Sequence, residues 1–384
     1  MLNYYLIKFV RLFTVLFHLF PINNNMILFY SFSGKEYTDS PKYLAEYIDC
    51  KKNNFKIIWA VKNPKKFTYL KKKGWKIIPY KSLRHMFYGS VSKFIITNTG
   101  PYKAITYRNN QIIINTWHGG GAYKKTGIDN PYKNKYQLLY NKNYAQAGVK
   151  LFLSSSDAFS KYAIRGAFGY KGKIAHCGLP RNDILLDKSI RDTIKEMVKK
   201  ELNIDTKAKF ILYAPTWRNY STEGYEKLNA EMMIDACHTR FSGTWMFIFR
   251  GHNLSKGITI LGNDKLCKDA TSYPDMQKLL IAADILISDY SSCIWDFSLT
   301  GKPCFLFTPD LKHYDATFSF YTPIRKWGFD VCETNNKLVD CVKNFSSENY
   351  LKNIDKNHKY FGNRETGQAR EFVYQYIMEC RGGC

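Results

Sequence analysis

Between Cys50 and Ile128 this chain of 384 residues has no Asp or Glu at all. The first 180 residues hold 29 Lys and Arg against 6 Asp and Glu, a net +23, whereas residues 181 to 384 hold 28 against 26, a net +2. An excess confined to one half points to a polyanionic partner for that half: nucleic acid, an anionic membrane surface or a phosphate-rich polymer. Other absences narrow the class. Ten cysteines are scattered without a CxxC pair or a Cys/His cluster at zinc-like spacing, which excludes a zinc knuckle and a disulfide framework and fits a reducing cytoplasm. There is no Asp-x-Asp pair, so nothing in the pattern demands a divalent metal. Repeats and low-complexity linkers are also missing.

The opening MLNYYLIKFVRLFTVLFHLF lacks an uninterrupted apolar run, because Lys8 and Arg11 sit in its middle, and no small-residue cleavage site follows. These features exclude a membrane span and a signal peptide. On a helix, Tyr4, Lys8, Arg11, Val15 and His18 form one narrow stripe, opposite Leu2, Leu6, Phe9, Phe13, Leu16, Phe17 and Phe20. The pattern predicts an amphipathic helix over 1–22, lying in a membrane interface with its basic stripe towards headgroups and ended by Pro21.

Beyond Pro21, apolar runs that end in polar or glycine residues alternate with helix-like stretches. MILFYS, KIIWAV, WKIIPY, KFIITN, QIIINT, LFLSSS and KIAHCG predict one parallel sheet; FILYAPT, WMFIFRGH, DILISDYSS and PCFLFT predict a second. The expected architecture is α/β, with two Rossmann-like domains facing each other across a cleft. The first spans 23–185 and is basic, the side for a polyanionic partner; the second spans 186–384.

In such sheets ligands bind beyond the carboxyl ends of the strands. Four polar clusters lie there: NTWHGGG with His118, YAPTWR with Thr216 and Arg218, FRGH with Arg250 and His252, and SDYSS with Asp289, Ser291 and Ser292. Each alone has a plain structural reading; SDYSS, for instance, caps a helix well. Four together at strand ends point to a site.

WHG followed by Lys-Lys-x-Gly (Trp117, His118, Gly119, Lys124, Lys125, Gly127), GLPRND (178 to 183), APTWR (214 to 218), Arg250-x-His252 and ISDYSSCIWDFSLTGKPCFLF (287 to 307) together resemble, in order, the CDP-glycerol glycerophosphotransferases of teichoic acid synthesis. SFSGKEYTDSPKYL (31 to 44) is similar to that family's first βα turn. The sequence departs from the family pattern in two places. Gly120, Gly121, Ala122 and Tyr123 stand where Thr-Pro-Leu is usual, and Arg-Gly-His replaces Arg-Pro-His.

The resemblance implies a GT-B fold and a peripheral protein at the cytoplasmic face of the cell membrane. The implied reaction moves glycerol phosphate or ribitol phosphate from a CDP-activated donor to a lipid-linked or phosphate-rich glycan acceptor, in teichoic acid or capsule synthesis. No cofactor or metal is required. His118 is expected as general base, since an unperturbed imidazole with pKa about 6.5 suits that role. Gly119, Lys124 and Lys125 are expected at the acceptor or a phosphate. His252 is assigned to the donor diphosphate or its leaving oxygen, with Arg250 assisting. Ser291 and Ser292 would hold donor phosphates at the start of a helix, Asp289 would orient His252 or accept from a ribose or glycerol hydroxyl, and Thr216 and Arg218 would close the nucleotide pocket.

Two other readings stay open. One keeps the fold but makes the donor a nucleotide sugar, as in a GT-B glycosyltransferase. The other makes the basic half a nucleic-acid surface, against which stands the lack of any nucleic-acid module, so no nucleic-acid partner is expected.

Overall fold

Runs of β-branched and aromatic residues set the strands, and polar residues end them. The computed structural model describes residues 2–130, 146–251 and 266–382. The chain divides into two compact units. Met1–His118, Thr126–Asp183 and Arg364–Cys384 form the first; Gly119–Lys125 and Ile184–Asn363 form the second.

The first unit is built on a seven-stranded sheet of order β3-β2-β1-β4-β5-β6-β7. Its strands are β1 (Asn23–Tyr30), β2 (Lys56–Val61), β3 (Lys76–Pro79), β4 (Ser92–Thr97), β5 (Ile112–Asn115), β6 (Val149–Leu153) and β7 (Lys173–Ala175). Every pairing is parallel, and the order reverses between β1 and β4. Ile27, Phe29, Trp59, Phe94, Ile96 and Ile114 are fully or almost fully buried in its core. Each such side chain contributes about 1.5–3 kcal/mol by leaving water. Val373 and Ile377 of the final helix, Ala369–Gly382, join the same core.

The second sheet runs β10-β9-β8-β11-β12-β13, again all parallel. Its strands are β8 (Lys209–Tyr213), β9 (Trp245–Phe249), β10 (Cys267–Asp269), β11 (Ile285–Ser288), β12 (Cys304–Phe307) and β13 (Asp330–Cys332). This is the doubly wound Rossmann order, with its reversal between β8 and β11.

Two segments change sides relative to a simple split near residue 185. Gly119–Lys125 pairs within the second unit: Lys124 bridges Phe320, and Tyr321 N–H donates to the Tyr123 carbonyl at 3.0 Å. Gly120 and Gly121 allow this, because a Cβ on Gly120 would stand 2.5 Å from Trp295 and Gly121 has φ +77°. At the other end Arg364–Cys384 returns to the first unit. There Asp183 of GLPRND accepts from Ala369 N–H at 3.0 Å and Arg370 N–H at 2.8 Å, and Glu365 accepts from Leu179 N–H at 2.9 Å.

The first helix, α1 (Leu2–Thr14), continues as a 3-10 turn, Val15–Leu19, before Pro21. Its orientation corrects the expectation from the sequence. Arg11 donates to the carbonyls of Lys103 and Ile105, and a His18 ring nitrogen lies 2.8 Å from the Thr106 carbonyl. Two residues of the polar stripe, Arg11 and His18, therefore dock on the protein's own 102–108 loop, whose carbonyls need donors, while Lys8 stays exposed and much of the apolar face is turned outward. Phe9 and Leu12 are 71% exposed and Leu19 is 86% exposed.

Candidate active site

In the first unit three consecutive strand ends of the sheet's centre meet around His118. β1 leads to Phe32, β4 to Asn98 and β5 to His118, so the group sits at the β1/β4 switch point. The His118 Nδ1 lies 2.7 Å from the Asn98 carbonyl oxygen. A carbonyl only accepts, so Nδ1 carries the proton in the neutral ring and the lone pair lies on Nε2. The Asn98 side chain serves the same cluster, accepting the Phe32 N–H at 2.8 Å through Oδ1.

Aromatic rings hold the imidazole in place. Trp117 stacks on it at 4.4 Å and Phe32 lies 5.4 Å away at a tilt of 59°. Both have left-handed backbones, φ +53° at Trp117 and φ +46° at Phe32. Such conformations cost about 1–3 kcal/mol each and persist where the surroundings over-determine them. Trp117 is fixed by its N–H donating to Asn115 Oδ1 at 2.9 Å and by packing on Phe168 at 4.4 Å.

The other expected site residues fall in the second unit. Thr216 and Arg218 follow β8, Arg250 follows β9, and Asp289, Ser291 and Ser292 follow β11. Gly119, Lys124 and Lys125 belong here too, not with the basic unit where the sequence pattern placed them. His252 lies outside the described residues.

Asp289, 1% exposed, is filled by its neighbours. Thr216 donates to it through N–H at 2.9 Å and Oγ1 at 2.7 Å, and an Arg218 Nη1 stands 2.8 Å from its Oδ2. Arg218 also makes a two-pronged pair with Asp310, at 2.6 and 3.1 Å. Its guanidinium lies 4.8 Å from each of the Tyr290 and Tyr314 rings, which stack on one another at 3.6 Å. Tyr220 and Tyr290 hydroxyls complete Asp310 at 2.6 and 2.9 Å. Burial opposes ionisation of this group. The two carboxylates nonetheless hold Arg218 firmly protonated, and Arg218 with the two tyrosines keeps Asp310 below the usual carboxylate range. In this structure Asp289, Thr216 and Arg218 spend these atoms on one another, fixing the loop after β8 to the loop after β11.

Lys124 borders this network, its Nζ 3.3 Å from the Tyr314 hydroxyl. It retains some accessible surface, yet the packing around it depresses its pKa to about 8. Desolvation is the main cause; the Arg218 charge adds to it and Asp289 partly offsets it. Ser291 and Ser292 are half-buried and precede the short helix Cys293–Ser298; Ser291 Oγ accepts the Cys293 N–H at 3.3 Å. The cavity beside Arg218 and Asp310 measures only about 50 Å³, room for little more than water and far too small for a nucleotide.

Phe32, Asn98, Asp310, Tyr290 and Tyr314 were not singled out by their local sequence. KFIITN does end its strand in a polar residue, a signal equal to that of His118, but Asp310 becomes meaningful only once Arg218 is beside it.

Two Rossmann-like sheets, each with polar side chains gathered after its central strands, define an α/β transferase of the GT-B-like type. The chain belongs to the CDP-glycerol:poly(glycerophosphate) glycerophosphotransferase family, whose model matches residues 12–379. It is 27% identical over 384 residues to the teichoic acid poly(glycerol phosphate) polymerase of Bacillus spizizenii, covering 96% of both chains. A polymerase of the same description from Staphylococcus epidermidis is 28% identical, and there the match spans 91% of this chain and 50% of the relative. Among solved structures, the wall teichoic acid polymerase TagF superposes with a TM-score of 0.82 at 25% identity, over 96% of this chain and 92% of that one.

Proposed function

We propose that this protein transfers a polyol phosphate, glycerol phosphate or ribitol phosphate, from a CDP-activated donor to a hydroxyl of a lipid-linked or phosphate-rich teichoic acid acceptor. The observation that carries the reading is the His118 imidazole, whose Nδ1 is tied to the Asn98 carbonyl; membership of the glycerophosphotransferase family supports it.

The acceptor oxygen attacks the phosphorus next to the polyol, and the bond from that phosphorus to the bridging oxygen of CMP breaks. Nε2 of His118 takes the acceptor proton, and CMP leaves with the bridging oxygen. General-base assistance of this kind supplies about 10² to 10⁴ in rate. On the donor side Lys124, Ser291 and Ser292 meet the phosphates, with Lys125, Arg250 and His252 as further donors. Thr216, Arg218 and Asp289 shape the site by holding its loops rather than by touching the nucleotide.

The protein works as a peripheral protein at the cytoplasmic face of the cell membrane. Support comes from the outward apolar face of α1 and from the basic first half of the chain. Among the described residues no helix is long and apolar enough to cross a membrane. Incubation with CDP-glycerol, CDP-ribitol and a panel of UDP-sugars tests the reaction: release of CMP from a CDP-polyol is expected, and release of UDP alone overturns it in favour of glycosyl transfer.

A further inference from the structure

The N-terminal helix borders a groove that the transfer reaction does not use. It lies within the first unit, between the end of α1 and the helix Leu83–Val91, and has a volume of about 920 Å³. That is the size of a small-ligand site, about 300–1,000 Å³. Phe13, Phe17 and Phe87 form its apolar side, with Phe17 meeting Phe87 edge to face at 5.7 Å. Lys71, Lys76 and Arg84 stand on its rim, all three exposed. Lys76 donates to the Tyr88 hydroxyl at 2.7 Å, and Asp49, on the far side of the buried Trp75, takes that indole N–H at 3.0 Å. Among the described residues no carboxylate pairs with Lys71 or Arg84, as expected where the chain runs from Cys50 to Ile128 without an acid.

We propose that this groove binds one acidic phospholipid, its acyl chain along Phe13, Phe17 and Phe87 and its phosphate at Lys71, Lys76 and Arg84. The proposal rests on the membrane reading above and sharpens it from a surface to a site. The groove offers complementarity of two kinds at once. An anion alone leaves the aromatic wall wet, and a neutral lipid leaves the three cations without a counter-charge. An amphiphile with an anionic head satisfies both. The docking of α1 adds a direction: Leu12, Leu16 and Leu19, close in sequence to the groove's Phe13 and Phe17, are exposed and would already lie among acyl chains.

The test uses the full chain and vesicles of phosphatidylcholine with or without phosphatidylglycerol carrying a photoactivatable acyl chain. Labelling is expected on the peptides that contain Phe13, Phe17 and Phe87, and only when the headgroup is anionic. Lys71→Glu with Arg84→Glu, both at exposed positions, should lose at least about tenfold in vesicle affinity. A short-chain phosphatidylglycerol below its micelle concentration should compete for the labelled site, and inorganic phosphate should not. Vesicle binding that survives the double variant, with labelling elsewhere on α1, overturns the groove and leaves the membrane reading intact. Failure of the unaltered protein to bind any anionic vesicle overturns both. Equal competition by inorganic phosphate reduces the groove to an anion site and overturns the lipid.

Discussion

The carbonyl oxygen of Asn98 and Nδ1 of His118 stand 2.7 Å apart, at the ends of neighbouring strands β4 and β5. A backbone acceptor cannot be removed by substitution, but the side chain that anchors it can. Asn98→Ala strips the Phe32 N–H of its acceptor, and an unsatisfied buried donor costs about 1–3 kcal/mol. We expect kcat to fall about tenfold or more with donor KM little changed, because the imidazole loses its fixed orientation. Asn98→Asp keeps the Oδ1 acceptor and gives up an Nδ2 that has no hydrogen-bond partner. It should recover much of kcat while moving the pH–rate profile, since a carboxylate beside His118 raises its basicity. An unchanged profile with unchanged kcat in both variants removes Asn98 from the site.

Arg218 satisfies two buried carboxylates. Arg218→Ala leaves Asp289 and Asp310 without their cation, a loss of about 3–5 kcal/mol. Arg218→Lys keeps the charge but not the fork, and should recover only part of that. Urea unfolding of the two variants measures it. A loss below about 1 kcal/mol for the alanine variant contradicts the assigned pairing.

Lys124 supplies a pH signature. Its folded pKa of about 8 lies below the unfolded lysine value of about 10.5, so the folded protein gives up the proton first. Below about pH 8 its charge is present, able to meet a donor phosphate but costing stability by desolvation. As pH rises through about 8 the charge is lost, donor KM should rise, and that destabilising contribution should fade up to about 10.5. Lys124→Arg should flatten the KM profile, since arginine stays charged. Superimposable KM profiles for the two proteins would separate Lys124 from the donor.

The outward face of α1 predicts a particular pattern of membrane loss. Leu12→Gln with Leu16→Gln and Leu19→Gln should release the protein from anionic vesicles, leaving transfer to a soluble acceptor measurable. Deleting residues 2–20 is a harsher change, because Thr106 and Arg108 lose their partners on α1 and the turn after it. High salt should mimic part of the release, since the Debye length falls below about 10 Å. Co-sedimentation that ignores both the glutamines and the salt would mean this face covers something other than lipid.

Most of the scaffold was legible because parallel strands buried on both faces read as continuous apolar runs. KIIWAV gives β2 to the residue, and the helix-like stretches between the apolar runs correspond to helices such as Arg191–Glu201 and Met276–Ala282. The two strands missed, Cys267–Asp269 and Asp330–Cys332, are three-residue sheet edges with charged side chains, too short to show a pattern. Within the site, His118 was legible at a strand end but its clamp was not. Phe32 lies far away in sequence, and nothing local announces a phenylalanine at positive φ. Arg218 and Asp289 were each legible as charged groups at strand ends. Their commitment to one another and to Asp310 is a tertiary fact, which is why each looked like a ligand for the donor. The stripe on α1 was likewise visible, but its direction depended on the carbonyls of the 102–108 loop.

His118 as the base is tested most directly by transfer rate and CDP-polyol affinity measured side by side for the unaltered protein and His118→Ala. A rate loss of about 10² or more is expected, with donor affinity within about twofold. A variant that keeps more than about a tenth of the transfer rate, or that fails because it no longer binds the CDP-polyol, would contradict it.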